Sequence, residues 1–329
     1  MATGRLRWMD LARGLCILVV VIMHSSSALS ERADIASPPL IEAFNAALGP
    51  FRMTLLMFLS GMLLGRSLAK PTGVYIRGKL AQIYWPFLIW SMVVLYAVDL
   101  FTVEYILKTP ISAPTLLWYL WFLCAYYLLA LGMKRFSIPL VPVALLALAV
   151  SPFLPDFLRM SRFAYLFFFF LAGHWYMQNR ARIEIGGLFA ALGLALAVAG
   201  AWMSVEGVVV RYEAVYAWVP LGLIVWTVWI CGFYQGGSAL ARPIEWVGRN
   251  SLVFYVVHFP VQCAVVDAMT GHGMTAFYPI YFSAMAASLL AAILLQWLRE
   301  RSLLVAGLFD FRKLQQAFQR TPAKPQESS

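Results

Sequence analysis

The sequence is poor in charge: Asp, Glu, Lys and Arg together make up 12% of its 329 residues, whereas a soluble domain carries about 25%. It is also poor in cysteine. The four cysteines show no CxxC spacing and all lie in apolar runs, at Cys16, Cys124, Cys231 and Cys263. We therefore expect neither a disulfide nor a metal site, and the shortage of charge excludes an ordinary soluble domain.

In place of charge, the sequence has apolar runs of about 20 residues, the length that crosses a bilayer. Ten such runs are present, at residues 12–30, 47–68, 80–100, 115–133, 137–154, 162–178, 186–203, 214–234, 250–269 and 277–297. The segments between them are short, and no internal repeat is obvious. These features predict an all-α, polytopic bundle of about ten transmembrane helices in a lipid bilayer.

The chain divides into three parts, of which residues 1–300 are expected to form the transmembrane domain. Within its second run, Gly61 and Gly65 predict close packing against a neighbouring helix of the same chain. Over residues 301–320, apolar residues recur at helical spacing among basic ones, which predicts an amphipathic helix on the cytoplasmic membrane surface. The polar residues 321–329 are expected to form a disordered tail.

The net charge of +10 would suit a nucleic-acid ligand, but the distribution of the charge gives another explanation. If the N-terminus is cytoplasmic, all but six of the 25 Lys and Arg residues fall on the cytoplasmic side, the six being Arg32, Arg52, Lys108, Arg159, Arg162 and Arg211. This is the positive-inside pattern, and with an even number of spans it predicts that both termini are cytoplasmic. No nucleic-acid partner is expected.

Two ionisable residues, Arg13 and His24, interrupt the first apolar run. Eleven residues are about three helical turns, so both side chains lie on one face, about 16 Å apart. Ionisable groups in a membrane helix tend to face the protein interior and mark a functional path. An imidazole accepts and returns a proton near neutral pH, and a guanidinium binds phosphate or carboxylate. The pair predicts a polar track for an anionic donor with a thin reactive arm, a shape that acyl-coenzyme A has.

Four stretches carry a family resemblance: WMDLARGLCILVVVIMH, FLSGMLLGRSL, LWYLWFLCAYY and SLVFYVVHFPV. In this order, over roughly residues 5–300, they resemble the acyltransferase-3 family of integral membrane acyltransferases. The resemblance implies transfer of an acyl group, often acetyl, from cytoplasmic acyl-coenzyme A to a hydroxyl or amine. Acceptors in this family are commonly glycans or lipid-linked sugars on the far side of the membrane. The family's essential arginine and histidine correspond to Arg13 and His24.

One departure from the family concerns the donor site. The family places an RxxR pair before the third span, but the matching stretch IRGKLAQIYWP has Lys79 and Gln82 at those positions. Lysine lacks the bidentate fork of arginine, and glutamine lacks the charge. The donor's phosphates are therefore expected to bind Arg66, Arg77 and Lys79 instead, or to be bound less tightly. A positive-inside loop would also explain these cations.

Four residues are predicted to contact the acceptor: Trp118, Trp121, Tyr255 and His258. The two tryptophans belong to an aromatic-rich stretch that would either stack on a sugar or anchor the helix at the membrane surface. The imidazole of His258 is predicted to lie near the middle of the membrane. It could be a residue of the site, or it could form a hydrogen bond that only stabilises the fold. The hydroxyl of Tyr255 is one candidate for stabilising an oxyanion.

The sequence favours an enzyme of the bacterial inner membrane, an O-acyltransferase that moves an acyl group, acetyl by default, from acyl-coenzyme A to a hydroxyl of a glycan or related cell-surface acceptor. His24 would be the general base and Arg13 would bind or orient the donor, without a metal. Direct transfer and a relay through an acyl-histidine are both open mechanisms. The alternative is a transporter or flippase for a glycan or lipid, in which the same residues would form a substrate or proton path. Against it, no pair of broken helices is found in matching halves of the chain.

Overall fold

The computed structural model describes residues 6–113, 115–155, 157–234 and 236–319, which form helices and no strand. The all-α fold is confirmed. The α-helices of these ranges are α1 (Arg7–Ala33), α2 (Pro39–Leu48), α3 (Arg52–Met62), α4 (Leu64–Leu68), α5 (Thr72–Lys79), α6 (Trp85–Ala97), α7 (Val103–Ser112), α8 (Trp118–Arg135), α9 (Leu140–Val150), α10 (Met160–Asn179), α11 (Gly187–Val205), α12 (Trp218–Gly232), α13 (Ala241–Arg249), α14 (Ser251–Gly271), α15 (Phe277–Arg301), α16 (Leu303–Gly307) and α17 (Phe311–Gln319). A π-helix at Leu80–Tyr84 joins α5 to α6.

Seven helical segments within the described ranges are long and apolar enough to cross a membrane: Arg7–Ala33, Pro39–Leu68, Thr72–Ala97, Gly187–Val205, Ala214–Gly232, Ser251–Gly271 and Phe277–Arg301. Each coincides with one of the predicted spans. The three other predictions coincide with α8, α9 and α10; α9 is short, and the other two carry polar or basic residues at their ends. The multi-pass membrane protein is therefore confirmed, while the count of ten spans and the orientation of the termini stay predictions.

Helices α3 and α10 cross in direct backbone contact through two glycines. A Cβ atom added to Gly61 would lie 1.8 Å from the backbone oxygen of Phe170, and one added to Gly173 would lie 2.0 Å from that of Phe58. A Cβ added to Gly65 would meet only ordinary contact distances, 3.5 Å or more. The predicted close packing within the chain is thus confirmed at Gly61, and its partner glycine comes from a helix distant in sequence.

Helix α1 is enclosed by α3, α13, α14 and α15. Its crossing with α13 also depends on two glycines: a Cβ on Gly14 would lie 2.1 Å from the backbone oxygen of Ile244, and one on Gly248 would lie 1.8 Å from that of Asp10. Since α1 is surrounded in this way, its polar face can open into cavities between helices, as its ionisable residues require.

An ion pair joins the start of α1 to α13. The guanidinium of Arg7 donates from Nε and Nη2 to Oε2 of Glu245, at 3.1 and 2.9 Å, and the hydroxyl of Tyr234 donates to Oε1 at 2.6 Å. Glu245 is buried, with 1% of its surface exposed. The hydrogen bonds from Tyr234 and then Arg7 hold the pKa of Glu245 below its ordinary value, so the carboxylate is ionised at neutral pH.

The segment after α15 differs from its prediction. Instead of one amphipathic helix over residues 301–320, two short helices, α16 and α17, flank a break that contains Phe309 and Asp310. The Phe309 ring is 1% exposed and lies 5.4 Å from the ring of Trp90, while Oδ2 of Asp310 accepts a hydrogen bond from Gln82 at 3.1 Å. The described part of this segment is thus divided at a break that packs against the bundle, and its position on the cytoplasmic membrane surface stays a prediction. The predicted tail, 321–329, lies outside the described residues.

Candidate active site

Two histidines from distant helices form a hydrogen-bonded pair. Nδ1 of His24 on α1 lies 2.9 Å from Nε2 of His258 on α14, and Nδ1 of His258 lies 3.1 Å from the backbone oxygen of Phe254. Because a carbonyl oxygen only accepts, Nδ1 of His258 carries the hydrogen, and its Nε2 accepts from Nδ1–H of His24. In the neutral pair, the lone pair on Nε2 of His24 is therefore left without a partner from this chain of hydrogen bonds.

The surroundings of the pair keep the His24 ring in one orientation. The two imidazoles stack with centroids 5.0 Å apart, and the ring of Phe259 meets His24 edge-on at 5.7 Å. His258 is buried, with 1% exposed, whereas His24 is partly exposed. His24 is thus the accessible histidine of the pair, and the buried His258 holds it through the hydrogen bond between the two rings.

His24 opens into a cavity of about 500 Å³, which we call the His24 cavity. Its polar and aromatic lining comes from α1, α3, α8, α10, α14 and the loop before α12, and consists of His24, Ser27, Arg52, Trp118, Arg162, Arg211, Tyr212 and Tyr255. These residues cluster at the end of the bundle where α1 ends and where α3, α8 and α10 begin. A cavity of this size falls within the range of small-molecule sites.

Arg13 opens into a second, smaller cavity of about 210 Å³, the Arg13 cavity. Its polar lining includes Arg13, Ser60, Gln82 and Tyr119, among mostly apolar side chains. The guanidinium of Arg13 has no hydrogen-bond or ion-pair partner in the part of the chain that the structure describes. Its donors are therefore available to a ligand.

Tyr255 separates the two cavities and lines both. Its hydroxyl donates to the backbone oxygen of Leu116 at 2.7 Å, and its ring meets Tyr119 edge-on at 5.6 Å. The continuous polar track predicted between Arg13 and His24 is therefore divided into two chambers. The helix period places both residues on one face, but only the packed structure contains the ring that lies between the chambers.

The residues predicted to contact the acceptor are only partly brought together. Trp118 and Tyr255 line the His24 cavity. Trp121 lines neither cavity; its indole N–H donates to the backbone oxygen of Pro110 at 3.1 Å. His258 lies behind His24 rather than in the cavity lining, so its structural hydrogen bond, one of the two interpretations left open, is present.

The cations predicted to bind donor phosphates are not among the residues that line the Arg13 cavity. Arg66 and Arg77 are exposed on α4 and α5. Lys79 donates to Oγ of Ser67 at 3.0 Å, and its Nζ lies 3.4 Å from the centroid of the Tyr127 ring. Of this stretch, Gln82 does line the cavity, in the π-helix, a distortion that is frequent at functional sites.

Sequence reasoning missed three arginines of the site: Arg52, Arg162 and Arg211, all in the lining of the His24 cavity. A signal for them was present, because all three belong to the few cations that oppose the positive-inside bias. Within the described ranges, no three His, Cys, Asp or Glu side chains group as they would around a metal ion.

Comparison with known proteins identifies the family. A family model for the acyltransferase domain of acyltransferase-3 proteins matches residues 6–297. The inner membrane protein YcfT of Escherichia coli (strain K12) is 24% identical over 293 residues, with 76% of this chain and 78% of that protein covered. No solved structure matches the chain. Because the family match spans the whole bundle, including the four motif stretches and both cavities, this chain belongs to the acyltransferase-3 family.

Proposed function

We propose that the protein is an O-acyltransferase that moves an acyl group, acetyl by default, from cytoplasmic acyl-coenzyme A to a hydroxyl of a glycan or related cell-surface acceptor. Family membership supports acyl transfer. A bacterial inner membrane is the proposed location, since the relative YcfT is an inner membrane protein. The bias of Lys and Arg supports a cytoplasmic N-terminus, which would put Arg13 in the cytoplasmic half of α1 and His24 in the other half.

The proposed general base is Nε2 of His24. The observation that carries this role is the hydrogen-bond chain from His24 through His258 to the Phe254 carbonyl, because it leaves the Nε2 lone pair free for a substrate. Nε2 takes the proton of the acceptor hydroxyl while the oxygen attacks the thioester carbon. The carbon–sulfur bond then breaks, and the proton passes to the departing thiolate. General-base help of this kind is worth about 10² to 10⁴ in rate.

His258 is proposed as a positioning residue for this step. When His24 takes a proton, its Nδ1–H still donates to Nε2 of His258, so the positive charge is partly shared along the chain. The bond from Nδ1 of His258 to the Phe254 carbonyl fixes the tautomer that makes this possible. A base held in this way needs little rearrangement at the moment of reaction.

The donor is proposed to occupy the Arg13 cavity. A volume of about 210 Å³ with mostly apolar lining suits the thin pantetheine arm of coenzyme A. The free guanidinium of Arg13 would bind the carbonyl oxygens or a phosphate of the donor. The nucleotide head would remain at the cytoplasmic mouth, where Arg66, Arg77 and Lys79 supply positive charge.

Tyr255 is proposed to act where the two substrates meet, because it lines both cavities. A hydroxyl has one hydrogen to donate, and that hydrogen now bonds to Leu116. On arrival of the thioester, the ring would move aside and the O–H would turn to the oxygen that becomes negative in the tetrahedral intermediate.

The test is acceptor-dependent release of coenzyme A from labelled acetyl-coenzyme A. The full-length protein in nanodiscs is given glycans and lipid-linked sugars extracted from a bacterial envelope. His24→Gln is expected to lower the rate by about 10² or more. His272→Gln, at an exposed histidine after α14, is the matched control and should not change it. Full activity of a correctly inserted His24→Gln protein would contradict the base assignment, and a transporter or flippase would release no coenzyme A.

A further inference from the structure

The His24 cavity contains a cluster of positive charge without an opposing charge. Arg52, Arg162 and Arg211 line it, and no acidic side chain does. None of the three forms an ion pair with an acidic residue in the described ranges. Arg52 and Arg211 line the same cavity, so their like charges repel each other. An anion in the cavity would relieve this repulsion.

Arg52 supplies a second, independent sign that a ligand is missing. It is the first residue of α3 and only 5% of its surface is exposed. Its Nη1 is buried and has no hydrogen-bond partner among the described residues. Leaving a charged donor buried and unpaired is costly, and proteins ordinarily satisfy such groups. Because Arg52 also lines the His24 cavity, a ligand bound there would lie beside its guanidinium.

The other two arginines approach from separate elements. Arg162, near the start of α10, lies 5.2 Å from the centroid of the Trp118 ring and 4.6 Å from that of Tyr212. These contacts orient its guanidinium but leave its charge unneutralised. Arg211 is an exposed residue of the loop before α12. The cavity that contains the His24 imidazole is thus lined by three guanidinium groups: Arg52 is buried, Arg162 is stacked on aromatic rings, and Arg211 is exposed.

We infer that the acceptor is anionic: a phosphate or carboxylate group of the acceptor binds Arg52, Arg162 and Arg211, while its hydroxyl faces Nε2 of His24. Guanidinium groups match both anions with paired hydrogen bonds. The reaction step rests on the proposed acyltransferase function, whereas anion binding itself does not. The inference narrows the acceptor to charged sugars, or to lipids whose phosphate lies near a free hydroxyl.

The binding test compares glucose 6-phosphate with glucose, using the full-length protein in phosphatidylcholine nanodiscs and ligand-induced thermal stabilisation as the readout. The wild type is expected to bind glucose 6-phosphate more tightly than glucose. Arg52→Gln and Arg211→Gln should each weaken phosphate binding by about 10- to 100-fold. Arg135→Gln, an exposed arginine at the far end of α8, should not. Arg211→Gln alone decides the matter if Arg52→Gln fails to fold.

Equal binding of both sugars by the wild type, or unchanged binding by the variants, would overturn the inference. So would loss of acetyl-coenzyme A binding in Arg211→Gln, since the cluster would then belong to the donor.

Nanodiscs containing phosphatidylglycerol separate the two sources of phosphate: a lipid acceptor would compete with glucose 6-phosphate. The coenzyme A assay is run in parallel. If the protein binds the anion but does not turn over, the acyltransferase proposal fails and the anion site remains. If neutral and anionic acceptors are turned over equally, the anion site fails and the acyltransferase proposal remains.

Discussion

The hydroxyl of Tyr255 donates a 2.7 Å hydrogen bond to the backbone carbonyl of Leu116. This bond holds the phenol between the Arg13 cavity and the His24 cavity, both of which it lines. If the donor enters through one chamber and the acceptor through the other, the reaction takes place at this ring. The bond to Leu116 would then close the connection until a thioester arrives, which would limit attack on the donor by water.

Removing this hydroxyl tests the role of Tyr255 in the reaction. Tyr255→Phe keeps the ring and its contact with Tyr119 but deletes the O–H. Turnover with acetyl-coenzyme A is expected to fall by about 10², the usual loss when one oxyanion donor is removed. The exposed Tyr278 provides the control, since Tyr278→Phe should keep full turnover. Wild-type kcat in Tyr255→Phe would contradict the role.

Substitution of Arg13 tests the donor site. Arg13→Gln removes the unpaired guanidinium of the Arg13 cavity, and kcat/KM for acetyl-coenzyme A is expected to fall by about 10- to 100-fold, since one charge-assisted contact is lost. Arg13→Lys should recover part of the loss because it keeps the charge. Arg182→Gln, at an exposed site, serves as the control for a lost cation. An unchanged kcat/KM in Arg13→Gln would remove Arg13 from the donor site.

Gly173 tests the contact between α3 and α10. The Cβ of Gly173→Ala would lie 2.0 Å from the backbone oxygen of Phe58, so the helices must separate, at a cost of about 1–3 kcal/mol. Gly132→Ala in α8 meets nothing within 4 Å and should be neutral or slightly stabilising. Unfolding temperatures in detergent measure the difference. Equal temperatures for the two variants would show that the crossing is not close.

The ion pair of Glu245 with Arg7 makes a pH-dependent contribution to stability. Hydrogen bonds from Tyr234 and Arg7 lower the pKa of Glu245 in the folded state, so the stabilisation is present above the unfolded-state pKa of about 4.3. It is lost as the pH falls through the lower folded-state value. Because Arg7 is 42% exposed, solvent screening limits the effect to about 1 kcal/mol.

Glu245→Gln is the variant that measures this contribution. Its unfolding temperature is expected to lie below that of the wild type at pH 7, and the gap should close in acid below about pH 4. A gap that stayed constant, or widened as the pH fell, would contradict a lowered pKa for Glu245.

The elements that sequence reasoning located are those set by local periodicity. The apolar runs define the helices, and the spacing of Arg13 and His24 follows from the helical repeat, so both features could be predicted. The contact between His24 and His258 could not, because it depends on how α1 packs against α14. The same limit explains why Tyr255 could not be placed between the two cavities, because its position depends on contacts with Leu116 and with Tyr119 of α8.

Other features could not be predicted because the sequence pattern is compatible with more than one arrangement in the structure. An amphipathic pattern does not say where a helix breaks, and the segment after α15 forms two short helices around Phe309, which is buried by protein. Trp118 and Trp121 belong to the same aromatic stretch, yet only Trp118 lines the His24 cavity. Arg52, Arg162 and Arg211 looked like exceptions to a charge rule when counted singly. Their significance comes from convergence on one cavity, which a linear sequence does not display.

The pairing of His24 with His258 is tested most directly by a double-mutant cycle on single-turnover transfer rates. Because His258 acts only through His24 in this account, His258→Gln should slow transfer by about tenfold or more. Adding it to His24→Gln should cost nothing further, since the two residues act as a unit. A double variant no slower than His24→Gln is the predicted result. Independent, multiplying losses, or a wild-type rate in His258→Gln, would contradict the account.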